Sequence, residues 1–126
     1  MLRILHLSSL ILVWILSTSF AGEEFGGLGV NVTQLYDPST ESKAGNLVVM
    51  NVLPGTDAQE KGIQKGDVIV EIDGQKIKGV EFSTLVVERL RGEIGTTSSL
   101  KIRRTGTDSL INLEVKRTRV SYPSKK

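Results

Sequence analysis

Cysteine is missing from the 126-residue chain. That excludes disulfide staples, a thiolate nucleophile and a lipid-modified cysteine. Histidine and tryptophan occur once each, at His6 and Trp14, and both fall in a segment expected to be removed. A chain left without His or Cys cannot build the usual zinc sites, a Ser-His-Asp triad or a Cys-His pair. No metal, cofactor or catalytic residue is therefore expected. Strong charge of one sign is lacking too: the formal net charge is +2, which gives no general attraction to nucleic acid or acidic lipid. A long apolar run is also absent. Residues 10–16 are unbroken and apolar, but Ser8, Ser9, Ser17, Thr18 and Ser19 interrupt them, short of the roughly 20 apolar residues that a membrane span needs.

What is present at the start is Arg3, that short apolar run, and Ser19-Phe20-Ala21 ahead of Gly22. Small residues at those places fit a secretory signal peptide cut after Ala21. The expected organisation is a signal peptide over 1–21, one domain over 22–120 and a flexible tail over 121–126. The location is then secreted, with an uncleaved membrane anchor as the alternative. The basic excess near the end, Lys116, Arg117, Arg119, Lys125 and Lys126, reads as a solvated strand edge and tail.

Beyond Gly22, Val30 and Val32 alternate with Asn31 and Thr33 as in a short strand. Residues 36–46 are rich in turn formers and read as a loop. The apolar run 47–53, bracketed by Gly45-Asn46 and Pro54-Gly55, favours a buried strand. Residues 56–62 fit one short helix, with Thr56 and Gln59 as a capping box and Gly62 as the left-handed terminator. In the strand within 66–74, Val68, Val70 and Ile72 share one face and Ile69 takes the other, before a tight turn at Asp73-Gly74. Asp67 is expected to cap a turn, and Asp73 to close its hairpin by local hydrogen bonds. Residues 81–92 are the one longer helix, with Phe82, Leu85, Val86 and Leu90 at helical spacing, Glu88 and Arg91 exposed, and Gly92 ending it. Strands over 99–104 and 109–117 close the chain. Five to six short strands with one short and one longer helix point to a mainly β (α+β) fold, a partly open barrel or sandwich.

The stretch FGGLGVNV, residues 25–32, has three readings: a linker, a phosphate loop or an anion-capturing loop. A dinucleotide fingerprint needs a third glycine where Val32 stands, and a P-loop needs a Gly-Lys-Ser/Thr that is missing. A linker does not account for Leu28, Val30 and Val32 at a period of two. Converging glycine amides beside an open strand edge account for both, and can hold the carboxylate of a peptide added as a further strand.

Gly27-Leu28-Gly29-Val30 resembles the carboxylate-binding loop of PDZ domains. GIQKGDVIVEIDGQKI (62–77) resembles a signature of the same family, LRGEIGTTSSLKIRR (90–104) is similar to a segment of the PDZ domains of bacterial carboxyl-terminal processing proteases, and the three motifs come in the family's order. The resemblance covers about residues 25–118. It implies a PDZ-like partly open β-barrel in circularly permuted topology, standing alone behind the signal peptide. It also implies a groove walled by Gly27, Leu28, Gly29, Val30 and Val32 on the strand side and by Ser83, Val87 and Leu90 on the helix side. The expected function is a secreted or periplasmic peptide-binding adaptor. It would recognise hydrophobic C-termini of proteins by strand addition, its partners being carboxyl-terminal peptides, an envelope protease or its substrates. The alternative is a structural or assembly module that docks a partner through another surface. An enzyme using Ser83 with Lys65 or Lys76 lacks any base-orienting group and is set aside.

Overall fold

The computed structural model describes residues 25–120; the expected signal peptide and tail lie outside them. Eight strands and two helical segments follow one another. They are β1 (Phe25–Gly27), β2 (Val30–Tyr36), β3 (Ala44–Val52), α1 (Asp57–Glu60), β4 (Val68–Ile72), β5 (Gln75–Lys76), α2 (Phe82–Leu85, continued as a π-helical turn Val86–Leu90), β6 (Thr97–Arg103), β7 (Leu110–Lys116) and β8 (Thr118–Val120). The main sheet has the order β2-β3-β4-β6-β7, with β5 paired to β4, and β1 pairs with β8 in a separate two-stranded sheet. The mainly β fold with two helices is the expected one; the β1–β8 pair is an addition to the expected strands.

Alternation along each strand builds the core. Leu47 and Val49 on β3, Leu100 and Ile102 on β6, and Val115 on β7 are fully buried, with Leu85 of α2 and Leu28 of the glycine loop packed on them. Each such side chain contributes about 1.5–3 kcal/mol of burial. Strand β3 starts at Ala44, three residues earlier than the apolar run suggests, because Tyr36 pairs with Ala44 and the β2–β3 hairpin extends to the loop.

Strand β4 departs from its expected faces. Ile69 and Ile72 are both fully buried, while Val68 and Val70 are half-buried. Against β6, Ile69 pairs with Ile102 but Glu71 pairs with Lys101, so Val70 is an extra residue that rotates the rest of the strand. A strict period of two cannot anticipate a bulge. The turn after it has Asp73 at φ 51° and Gly74 at φ 77°, the paired left-handed conformation of a two-residue hairpin. Asp73 is not merely local, however: its carboxylate accepts from the Ser99 N–H at 2.8 Å and from Ser98 Oγ at 2.9 Å, across the sheet.

Helix α1 is capped as expected at Thr56, whose hydroxyl accepts from the Gln59 N–H. The reciprocal bond lands one residue earlier, from the Gly55 N–H to Gln59 Oε1 at 3.0 Å. Gly62 has the left-handed φ of 85°, and Ile63 behind it is buried.

Asp67 sits under this loop with 2% of its surface exposed. It accepts from the Gln64 N–H at 2.8 Å and takes both arms of Arg104, at 2.9 and 2.8 Å. Arg104 also donates to the Gly62 carbonyl, so the end of β6 is tied to the end of α1. Burial pushes the Asp67 carboxyl up. The Arg104 hydrogen bonds, the Gln64 N–H and the Arg104 charge outweigh that and hold it below the ordinary carboxylate value.

Candidate functional site

Strand β2 lies at the end of the main sheet, paired only with β3. Its other edge faces α2 across a cleft of about 430 Å³. Two ties set the separation of these walls. At one end the Gln34 side chain donates to the Val80 carbonyl at 2.7 Å and to the Gly45 carbonyl at 3.0 Å. At the other, Gly26 and Gly92 exchange backbone hydrogen bonds of 2.7 and 3.1 Å. The walls therefore run antiparallel, with 26–34 on one side and 80–92 on the other.

Gly27, Leu28, Gly29, Val30, Asn31 and Val32 line the strand side, Phe82, Val86, Leu90 and Arg91 the helix side, with Phe25 and Leu53 beside them. The interior is mostly apolar. Besides Asn31, its polar features are the main chain of Gly27 to Gly29 and the Arg91 guanidinium, which lies 4.3 Å from the centre of the Phe25 ring. No hydrogen bond from the N–H of Leu28 or Gly29 is formed among the described residues. Gly29 bends the chain here at φ 80°, and its carbonyl accepts from the Leu53 N–H at 2.8 Å. Leu28 is 4% exposed; it anchors the loop to the core as well as flooring the cleft.

All five strand-side residues named from the sequence, Gly27, Leu28, Gly29, Val30 and Val32, come together with Leu90. Ser83 and Val87 do not. Ser83 is exposed, and Val87, 65% exposed, lines a separate shallow depression with Phe25, Arg91, Gly92 and Ile94 rather than the cleft. The physical reason is the π-helical turn. The Arg91 N–H bonds to the Val86 carbonyl, five residues back, so the turn holds one residue more than an α-turn. Counting back from Leu90 at α-helical spacing gives 87 and 83; the wider turn moves the inward positions to Val86 and Phe82.

Gly92 is not a left-handed helix terminator either. It lies in the bridge to Gly26, and a Cβ on it would stand 2.8 Å from Arg117 Nε. Arg117, read from the sequence as part of a solvated edge, is 7% exposed. Its guanidinium donates to the carbonyls of Arg89 at 2.7 Å and Leu90 at 3.1 Å, and to the hydroxyls of Thr96 and Ser98, each at 3.1 Å. The signal was in the alternation: Leu113, Val115 and Arg117 share the inward side. Among the described residues no cluster of His, Cys, Asp or Glu could hold a metal ion, and no helix is long and apolar enough to cross a membrane.

A family model described as PDZ domain matches residues 26–115. The chain is 40% identical over 81 residues to the chloroplastic carboxyl-terminal-processing peptidase 3 of Arabidopsis thaliana, covering 62% of this chain and 15% of that protein. It is 35% identical over 95 residues to the carboxy-terminal-processing protease of Bartonella bacilliformis, covering 75% of this chain and 20% of that one. Among solved structures, an HtrA-type protease, AlgW, with a decapeptide superposes with a TM-score of 0.59 at 30% identity, covering 79% of this chain and 31% of that chain. The chain thus spans a fifth or less of the length of these two processing proteases.

Proposed function

The chain belongs to the PDZ domain family, and from that premise we propose that it is a peptide-binding adaptor taking hydrophobic carboxyl termini of other polypeptides into the β2–α2 cleft. The observation that carries this is one end of the cleft. There, the Leu28 and Gly29 N–H groups have no acceptor among the described residues, and Arg91 lines the same cleft. A terminal carboxylate supplies the acceptor for those amides; the peptide's backbone extends the sheet along β2, and its last side chain enters the apolar interior. The similarity to carboxyl-terminal processing proteases supports partners in that setting, an envelope protease or its substrates.

A few backbone hydrogen bonds at about 0.5–1.5 kcal/mol each, with one buried side chain at about 1.5–3 kcal/mol, suit roughly micromolar binding. Fluorescence anisotropy with a peptide ending in a hydrophobic residue is expected to give that affinity. Amidation of the terminal carboxyl should weaken it about tenfold or more, one charge-assisted contact. Equal affinity for both peptides would instead favour a module that docks through another surface. Leu28→Asp would confuse the result, because Leu28 belongs to the core. Val86→Asp, half-buried on the helix wall, is the cleaner variant and should remove binding while the domain stays folded.

A further inference from the structure

We infer that Arg117 is the positioning residue of this cleft: from beneath, it fixes the π-helical turn that sets where Leu90 and Arg91 stand against the glycine loop. The inference rests on the peptide-binding reading above and adds to it the residue that governs the width of the carboxylate end.

A helix ends with carbonyls that have no partner within the helix and carry partial negative charge. Here the Arg91 N–H is spent on Val86, and the carbonyls of Arg89 and Leu90 would be left over. Arg117 Nη2 and Nε take them at 2.7 and 3.1 Å. A planar fork can hold two successive carbonyls in one orientation; a lysine ammonium is a single point and cannot. The same residue meets the opposite wall. A Cβ at Gly26 would stand 2.9 Å from Arg117 Cβ, and Gly26 is the residue bridged to Gly92. Its own main chain is fixed on both sides, by bonds from its N–H to the Thr96 carbonyl at 2.7 Å and from the Gly95 N–H to its carbonyl at 3.0 Å.

No ion pair to Arg117 forms among the described residues. Its nearest charge complement runs through Ser98, whose hydroxyl accepts from Arg117 and donates to Asp73 at 2.9 Å. Asp73 is thereby connected, through one serine, to the helix end that lines the cleft. The chain Asp73–Ser98–Arg117 holds the guanidinium in the rotamer that reaches Arg89 and Leu90.

The test compares the wild type with Arg117→Lys and Ser98→Ala in the full chain, by urea denaturation, by amide hydrogen exchange at residues 86–92 and by peptide titration. In Arg117→Lys, exchange at the Arg91 N–H is expected to rise about tenfold or more while residues 47–49 in the core stay protected. Affinity for a free-carboxylate peptide should fall about tenfold, with the amidated peptide much less affected, as expected for the loss of one oriented charge-assisted hydrogen bond. Ser98→Ala should shift both readouts in the same direction by a smaller factor. A folded Arg117→Lys variant with wild-type exchange at Arg91, or with lower stability but wild-type affinity, overturns the inference and leaves the peptide-binding reading standing. Failure of the wild type to bind any carboxyl-terminal peptide overturns both.

Discussion

Gly29→Ala is expected to lower the unfolding free energy by about 2–4 kcal/mol and to abolish peptide binding at ligand concentrations that saturate the wild type. Two effects add at this position. The backbone sits at φ 80°, where a side chain costs about 1–2 kcal/mol. The new Cβ would also stand 2.7–2.8 Å from the side chain of Thr56. Thr56 cannot give way cheaply. It is buried, donates to the Leu53 carbonyl at 2.7 Å and caps α1 through Gln59, a cap worth about 1 kcal/mol. Relief by moving the loop instead would break the bond from the Leu53 N–H to Gly29 and swing away the very amides proposed to hold the ligand. Gly55→Ala is the control: its φ is 77°, but no atom lies within 4 Å of the new Cβ. Chemical denaturation of both variants should therefore show a Gly29 loss exceeding the Gly55 loss by the Thr56 contribution. Equal losses would mean that the Gly29–Thr56 contact is not sterically limiting.

Asp67→Asn is expected to cost about 1.5–3 kcal/mol at neutral pH, the scale of charge-assisted hydrogen bonds to a buried group, and to flatten the acid limb of the stability curve. The sign follows from the direction of the shift. The Asp67 carboxyl titrates below its unfolded value in the native protein, so the unfolded chain takes up its proton first as pH falls. The contribution is complete above the unfolded value near pH 4 and is lost as pH drops through the folded value. Asp37 and Asp57 are also depressed, Asp37 to about 2 by the Ser39 hydroxyl and N–H and by Lys78, and Asp57 by the Lys116 N–H and Lys61. Acid loss in the wild type is thus shared, and only the difference between wild type and Asp67→Asn isolates this pair. Denaturation midpoints from pH 7 down to pH 3 read it directly; parallel curves for the two proteins would contradict the assigned role.

Local chemistry made much of this molecule legible beforehand. Glycines at Gly62 and Gly74, a Thr56 cap and period-two valines each specify their own backbone, because the forces involved act within a few residues. Two of the misreadings, the faces of β4 and of α2, share one origin, in events that insert a single residue. Val70 adds one to β4, and the π-turn adds one before Arg91; each shifts every later side chain relative to a strict period. Such insertions are stabilised from elsewhere in the chain, by β6 in the first case and by Arg117 in the second. No window around residues 66–74 or 81–92 contains the cause. Arg117 was misread for a different reason: its place on the inward side with Leu113 and Val115 was legible, but a cation reads as solvated by type, and two of its four partners are main-chain carbonyls, which have no letter in the sequence.

The pairing of Phe25 with Val120 through β1 and β8 places the two ends of the described residues one strand-spacing apart, about 5 Å. A body with entry and exit side by side can be spliced into a loop of a host polypeptide without prying the loop's two feet apart, at little closure entropy. The β1–β8 pair is then also the socket by which such a unit would be carried.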